Sequence, residues 1–162
     1  MIFLTVGTQF PFDRLVRAVD ELFERGVLRE RVFAQIGNGT YRPRNFEAVA
    51  SLDKSAFDRM FETSSAIIGH AGMGVITMAL DNGKPLLAMP RRKKYGEHVN
   101  DHQVGLAARF EALGHMLVAR DEQELPAKLE QLKSFTPVPR RPDPEMVAQR
   151  IVRFLETLKR RQ

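Results

Sequence analysis

Short apolar runs alternate along the chain with longer segments in which apolar residues recur every three to four positions. Runs of this length are typical of buried strands, and the longer spacing indicates helices. Strands are predicted over residues 2–6, 32–36, 66–68, 86–89 and 115–118, with a short extended piece over 48–52. Regular alternation of strand and helix predicts an α/β fold with a parallel sheet and right-handed crossovers.

Helix-start and helix-stop residues fix the segments between these strands. Pro11 and Asp13 begin the first helix and Gly26 ends it, and Asp53 caps the second. Further helices are predicted from about Met73 and over residues 99–113 and 122–132. This succession of strands and helices therefore predicts one domain over residues 1–135.

Four prolines within residues 136–144 predict a stiff linker after this domain. A last helix follows over residues 145–162, opened by Asp143 and Pro144, and its apolar residues fall on one stripe. We expect this stripe to pack on the domain or on a partner chain.

The stretch from residue 65 to 90 predicts a strand, a tight loop, a helix and a second strand. A helix from about Met73 directs its unpaired backbone N–H groups, and about half a positive charge, toward the loop. Gly72 and Gly74 let an anion approach that backbone, and His70 supplies one more hydrogen-bonding group. The spacing matches neither the dinucleotide fingerprint nor the Walker loop, so a plain tight turn stays open as the alternative.

A second polar cluster follows the predicted strand over residues 86–89. It begins with four consecutive basic residues, 91–94, and continues with the polar residues Glu97, His98, Asp101, His102 and Gln103. Gly7 and Thr8 follow the first strand in the same way. Ligands of open parallel sheets bind outside the carboxyl ends of the strands, so all three loops are expected to face one crevice.

Three motifs occur in order: Met-Ile-Phe-Leu-Thr-Val-Gly-Thr-Gln at 1–9, His-Ala-Gly-Met-Gly at 70–74 and Gly-Glu-His-Val-Asn-Asp-His-Gln at 96–103. Together they resemble the C-terminal, donor-binding domain of GT-B glycosyltransferases, of the glycosyltransferase family 28 type. The similarity extends to the separate-chain subunits of two-component transferases. These are the dolichol-linked N-acetylglucosamine transferase subunit and, more closely, the bacterial exopolysaccharide and capsule subunits. The resemblance reaches to about residue 135 and implies a Rossmann-like sheet with helices on both faces.

The resemblance also implies which residues bind the donor. Phosphate binding falls on Gly7, Thr8, His70, Gly72, Met73 and Gly74, and sugar binding falls on Glu97, His98, Asp101, His102 and Gln103. No metal or cofactor is expected, and the catalytic base is expected on a partner chain.

The function implied is that of a donor-binding subunit in an inverting two-component glycosyltransferase of polysaccharide biosynthesis. It transfers a hexose, uronic acid or N-acetylhexosamine from a UDP-sugar to a lipid-linked acceptor. The acceptor is bound by a membrane-associated partner, which holds this cytoplasmic chain at the inner face of the membrane.

One position departs from the family pattern. Met78 stands where relatives carry an acidic residue that grips the ribose, and Asp81, one helical turn further on, is the candidate substitute. The departure motivates an alternative function, a non-catalytic accessory subunit that activates a membrane-associated glycosyltransferase. A second alternative is that Glu97 and His98 form an acid/base pair within this chain.

Composition narrows the remaining choices. The chain has 162 residues and no cysteine, which excludes disulfides and thiolate metal sites. No window approaches the roughly 20 apolar residues of a membrane span. Net charge is +5, and the basic run 91–94 suggests an anionic partner or a uronic acid donor. Nucleic acid is not expected, because only Tyr95 interleaves with these basic residues.

Overall fold

The computed structural model describes residues 1–140 and 144–159, which contain one six-stranded sheet. The strands are β1 (Ile2–Thr5), β2 (Val32–Gln35), β3 (Glu47–Val49), β4 (Ala66–His70), β5 (Leu86–Met89) and β6 (Leu117–Val118). Their order is β3-β2-β1-β4-β5-β6, and each adjacent pair is parallel. The predicted parallel sheet is confirmed.

Helices cover both faces of the sheet, as the Rossmann-like prediction requires. The helices of the described residues are α1 (Asp13–Glu24), α2 (Lys54–Thr63), α3 (Met73–Asp81), α4 (His102–Ala112), α5 (Leu125–Leu132) and α6 (Pro144–Lys159), and a 3-10 turn lies at Lys93–Tyr95. Buried side chains of α1 and α5 form one core with the sheet, and those of α2, α3 and α4 form a second core on the opposite face.

The central strand β1 shows why the strands of this chain consist of consecutive apolar residues instead of alternating apolar and polar ones. All four of its residues are buried. Leu4 packs into the core under α1, whereas Phe3 points to the other face, where its ring lies 5.3 Å from Phe57 and 6.4 Å from Phe61. A strand covered on both faces gains stability from apolar residues at every position.

The observed helix boundaries agree with the predicted ones where the capping residue is next to the helix in sequence. Asp53 accepts a hydrogen bond from the N–H of Ala56 at 2.8 Å, so its predicted capping role is confirmed. Two helices begin three residues later than predicted, α4 at His102 and α5 at Leu125. The reason is visible before α5, where Asp121 accepts hydrogen bonds from two following N–H groups and holds a turn instead of a helix.

The segment after α5 runs back over the domain. The N–H of Val138 donates to the carbonyl of Gly114 at 2.9 Å, and Nδ1 of His115 donates to the carbonyl of Val138 at 2.7 Å. Residues 141–143 of the predicted linker, including Asp143, lie outside the described residues, as do residues 160–162 of the predicted last helix.

Helix α6 exposes its apolar stripe. The stripe is formed by Val147, Ile151, Phe154, Leu155 and Leu158, each of which is 45–62% exposed. Of the two predicted positions for this stripe, the structure does not show packing on the domain, and packing on a partner chain stays a prediction. Within residues 1–140 and 144–159, no helix is both long and apolar enough to cross a membrane.

Candidate functional site

The strand order places the candidate site at the centre of the sheet. The connections run outward in opposite directions from β1 and β4, which are neighbours, so the loops that follow these two strands border one crevice. A pocket of about 590 Å³ lies there, at the carboxyl edge of the sheet. Its wall includes nine of the predicted binding residues, Gly7, Thr8, His70, Gly72, Met73, Gly74, His98, His102 and Gln103.

The amino end of α3 forms one wall of this pocket. Gly72 is the N-cap residue and has no side chain to satisfy the first N–H groups of the helix. Those groups have no partner within a helix, and the macrodipole adds positive potential at the same point. Gly74 is exposed in the first turn, and a Cβ added to it would meet no heavy atom within 4 Å. An anion therefore has open access to this backbone.

His70 fills the space between two glycines. A Cβ on Gly72 would lie 2.1 Å from Cε1 of His70, and a Cβ on Gly7 would lie 3.0 Å from its Nε2. Gly7 also has a φ of +72°, in the left-handed region that favours glycine. The sequence prediction assigned Gly72 to the close approach of an anion, and the structure adds that its missing side chain makes room for the imidazole.

Electrostatics keep this imidazole neutral. Burial, and then the neighbouring charge of Arg91 and the ring of His98, lower the pKa of His70 from 6.5 to about 3. At neutral pH the ring is therefore an uncharged hydrogen-bonding group, with one nitrogen that donates and one that accepts.

Arg91 provides the fixed positive charge beside His70. Its side chain is buried, with 3% exposed, and Nη2 donates to the carbonyls of Val6 at 2.6 Å and Phe10 at 2.5 Å. Its guanidinium carbon lies 5.1 Å from the centre of the Phe12 ring. Burial lowers the pKa of Arg91 to about 10, so the group stays charged at neutral pH. Within the predicted basic run, Lys93 and Lys94 are exposed, and no local pattern separates them from Arg91.

The first turn of α4 and the loop before it bring three polar side chains to the pocket. Gln103 is buried, and its Oε1 accepts a hydrogen bond from the N–H of Arg91 at 3.2 Å. The ring of His98 lies 5.0 Å from that of Phe10 and 4.6 Å from that of His102. Burial, then His102 and Arg91, lower the pKa of His98.

Glu97 and Asp101 are the two predicted sugar-binding residues that the structure places outside this pocket. The carboxylate of Glu97 accepts hydrogen bonds from Nε of Arg14 at 2.5 Å and from the N–H of Arg92 at 2.9 Å. Asp101 accepts from the N–H of Lys93 at 2.8 Å. These bonds fold residues 97–101 back onto the 3-10 turn, which is also why α4 begins late.

The same contacts correct the hypothesis of an acid/base pair. Glu97 is engaged by Arg14 on α1, whereas His98, the next residue, lines the pocket. The carboxylate of Glu97 is held by Arg14 and by the N–H of Arg92, outside the pocket that His98 lines, so Glu97 does not act on His98.

Met78 and Asp81 also fall in different places. Met78 lines the pocket, whereas Asp81 is exposed at the far end of α3 and forms an ion pair with Arg140 at 3.2 Å. Asp81 lies one helical turn beyond Met78, farther from the carboxyl edge of the sheet and outside the pocket. It therefore does not replace the acidic residue that relatives carry at the position of Met78.

The sequence prediction missed four residues of the pocket wall that come from the end of β2, the loop before α2 and α2 itself. They are Gln35, Leu52, Lys54 and Phe57. Gln35 holds the loop there, since its Oε1 accepts from the N–H of Leu52 at 3.1 Å. A polar residue within a predicted buried strand was the available signal for Gln35. The others come together only through the tertiary fold.

Solved structures of glycosyltransferases share this fold. The crystal structure of MurG from Acinetobacter baumannii aligns with a TM-score of 0.58 at 19% identity, over 82% of this chain and 40% of MurG. The NMR solution structure of ALG13 aligns with a TM-score of 0.59 at 22% identity, over 89% of this chain and 91% of that one.

The family model described as "Glycosyltransferase family 28 C-terminal domain" matches residues 1–157, and the chain belongs to this family. The human UDP-N-acetylglucosamine transferase subunit ALG13 is 33% identical over 124 residues, which cover 71% of this chain. The Eremothecium gossypii protein of the same name is 28% identical over 167 residues, covering 79% of each chain. The aligned region spans only 10% of the human relative.

Proposed function

We propose that this chain binds the UDP-sugar donor of a glycosyltransferase and works together with a second chain that binds the acceptor. Family membership and the sheet-edge pocket support the proposal. The observation that carries it is the convergence of three anion-binding features on one wall. These are the amino end of α3, the neutral imidazole of His70 and the buried charge of Arg91.

These groups supply what sugar transfer requires of a donor site. The bond to the sugar breaks as charge develops on the leaving diphosphate, and preorganised donors aimed at that charge accelerate the reaction by about 10²–10³ each. The first-turn N–H groups of α3 and the imidazole N–H of His70 are such donors. We propose that they stabilise the diphosphate without a metal ion.

His98, His102 and Gln103 are proposed to contact the sugar from the first turn of α4 and the loop before it. The two exposed lysines of the basic run do not line the pocket, and Nη2 of Arg91 is used on backbone carbonyls. In the part of the chain that the structure describes, no arginine side chain in the pocket is therefore free to form a bidentate ion pair with a carboxylate on the sugar, and this disfavours a uronic acid as the donor sugar. Because the curated relatives are named UDP-N-acetylglucosamine transferase subunits, UDP-N-acetylglucosamine is our proposed donor.

We propose that the catalytic base comes from the partner. Among the described residues, the pocket wall contains neither Asp nor Glu. The exposed stripe of α6 is the proposed docking face for this partner, since it leaves five large apolar side chains in water. Through a membrane-associated partner the chain would lie at the cytoplasmic face of the membrane and transfer sugar, with inversion, to a lipid-linked acceptor of polysaccharide biosynthesis.

Calorimetric titration of the isolated chain with UDP-N-acetylglucosamine, UDP-glucose and UDP-glucuronic acid tests the donor proposal. We expect saturable binding that weakens at least about tenfold, or 1.4 kcal/mol, in His70→Ala. His115→Ala is the matched control, because His115 lies outside the pocket. Binding weaker than about 1 mM for every donor contradicts the proposal.

Met78 favours a second candidate, the accessory subunit that binds no nucleotide. Its side chain lies in the pocket wall where an acid would grip ribose. For this candidate the titration shows no binding, yet addition of the chain raises the transferase activity of membranes that contain the partner.

A further inference from the structure

The amide of Gln103 has a defined orientation. The backbone N–H of Arg91 lies 3.2 Å from one end of this buried amide. A backbone N–H only donates, so the amide atom that faces it must be the oxygen, Oε1. The nitrogen, Nε2, is then the atom that lies 3.5 Å from Nδ1 of His70.

This orientation selects one tautomer of His70. Nε2 of Gln103 carries only hydrogens, so Nδ1 of His70 must offer its lone pair. A neutral imidazole has one proton, which then resides on Nε2. The opposite tautomer would place two N–H groups against each other at 3.5 Å, in a largely enclosed site where an unmade hydrogen bond is costly.

Nε2 of His70 is positioned for a ligand. It lies against Gly7 at the pocket wall, and among residues 1–140 and 144–159 no group forms a hydrogen bond with it. Its N–H is therefore available to an acceptor that enters the pocket.

We infer that Gln103 is a positioning residue that holds His70 as the Nε2–H tautomer, so that the imidazole donates a hydrogen bond to the diphosphate of the donor. The ligand named here rests on the proposed function, whereas the tautomer is a property of the free protein. One N–H of the Gln103 amide remains for a sugar hydroxyl, so the positioning role is compatible with the predicted contact to sugar.

A carboxylate at residue 103 reverses the arrangement. In Gln103→Glu, one oxygen still accepts from the N–H of Arg91 and the other accepts from Nδ1 of His70, which must then be protonated. Gln103→Met has similar length but neither donates nor accepts like an amide, so it leaves His70 without a selected tautomer.

Long-range ¹H–¹⁵N spectra of the histidine rings at pH 8 test the inference on the full chain without ligand. We expect a protonated Nε2 and an unprotonated Nδ1 for His70 in the unmodified protein, a protonated Nδ1 in Gln103→Glu and a tautomer mixture in Gln103→Met. Affinity for UDP-N-acetylglucosamine at pH 8 should fall about tenfold in Gln103→Glu.

A protonated Nδ1 in the unmodified protein overturns the inference even if Gln103→Glu fails to fold. An unchanged His70 spectrum in a folded Gln103→Glu also overturns it. If the tautomers follow the expectation but the unmodified chain binds no UDP-sugar, the donor-binding proposal fails while the tautomer assignment stands.

Discussion

The imidazole of His70 occupies the space that a side chain on Gly72 would fill, with Cε1 only 2.1 Å from the position of the missing Cβ. Gly72 thus shapes the site by admitting a neighbouring side chain as well as by exposing its own backbone. The two residues form one unit, in which the glycine is required for the imidazole to reach the pocket.

Gly72→Ala is expected to displace this imidazole and to weaken UDP-sugar binding. The added methyl group forces His70 out of its enclosed position, with a cost of about 1–3 kcal/mol in the free energy of unfolding. Urea denaturation and calorimetric titration of the same preparation measure the two effects. Unchanged stability and affinity in the Gly72→Ala variant would show that His70 is not confined as described.

Gly74→Ala separates binding from stability. The new methyl group meets no atom of the protein, so the helix should gain about 0.5–1 kcal/mol from the better helix former. The same methyl group stands where the ligand approaches the first turn of α3, so affinity for UDP-sugars should fall.

Gly105→Ala is the matched control for this substitution. Gly105 is an exposed helical glycine of α4 outside the pocket, and its added Cβ also meets no heavy atom within 4 Å. It should raise stability to a similar extent and leave affinity unchanged. Equal affinity in both variants would place the ligand away from α3.

The low pKa of His70 predicts a loss of stability in acid. With a pKa of about 3 in the folded chain and 6.5 in the unfolded chain, the unfolded state binds more protons between these values. Stability is then fully present above pH 6.5 and falls with decreasing pH, by up to about 1.4 kcal/mol per unit. Urea denaturation between pH 7 and 4 measures the slope.

His70→Gln is the comparison that isolates this contribution, because glutamine keeps a polar side chain and does not titrate. Its stability should depend less on pH over the same interval. Parallel slopes for the two proteins would mean that His70 titrates normally in the folded state.

The ion pair of Arg14 and Glu97 is expected to hold the loop before α4. Both side chains are largely buried, with 13% and 8% exposed, so removal of one charge leaves the other poorly solvated. Glu97→Gln should lower the free energy of unfolding by about 1–3 kcal/mol, since Arg14 keeps its second partner, Glu122.

Glu130→Gln provides the comparison for Glu97→Gln in the same denaturation experiment. Glu130 pairs with Lys133 on the surface, where both side chains are at least half exposed. The expected loss there is below about 1 kcal/mol. If both substitutions have the same small effect, Glu97 does not organise the loop.

The sequence predicted those features that depend on neighbouring residues. Strand β5 has the predicted bounds, Asp53 caps α2, and Gly72 precedes a helix that begins at Met73, because hydrophobic periodicity and capping are local. Nine of the eleven residues that the family resemblance assigned to donor binding lie in the wall of one pocket, and their roles there stay predictions.

Contacts between distant residues account for what the sequence did not predict. Glu97 lies in a polar motif, yet its partner Arg14 is 83 residues away. Arg91 is one of four consecutive basic residues. The carbonyls that accept hydrogen bonds from its buried guanidinium belong to Val6 and Phe10, in the loop after β1. Neither partnership leaves a periodic or local signal.

Chemical shifts of the backbone amides and histidine rings of the ¹⁵N-labelled chain, followed during titration with UDP-N-acetylglucosamine, test the donor site most directly. If the diphosphate binds at the amino end of α3, the largest changes should occur at the amides of residues 72–75 and at the ring of His70. Changes centred on the exposed Lys93 and Lys94 would contradict the account. So would changes at the cavity of about 240 Å³ on the opposite edge of the sheet, lined by Leu28 and Leu129.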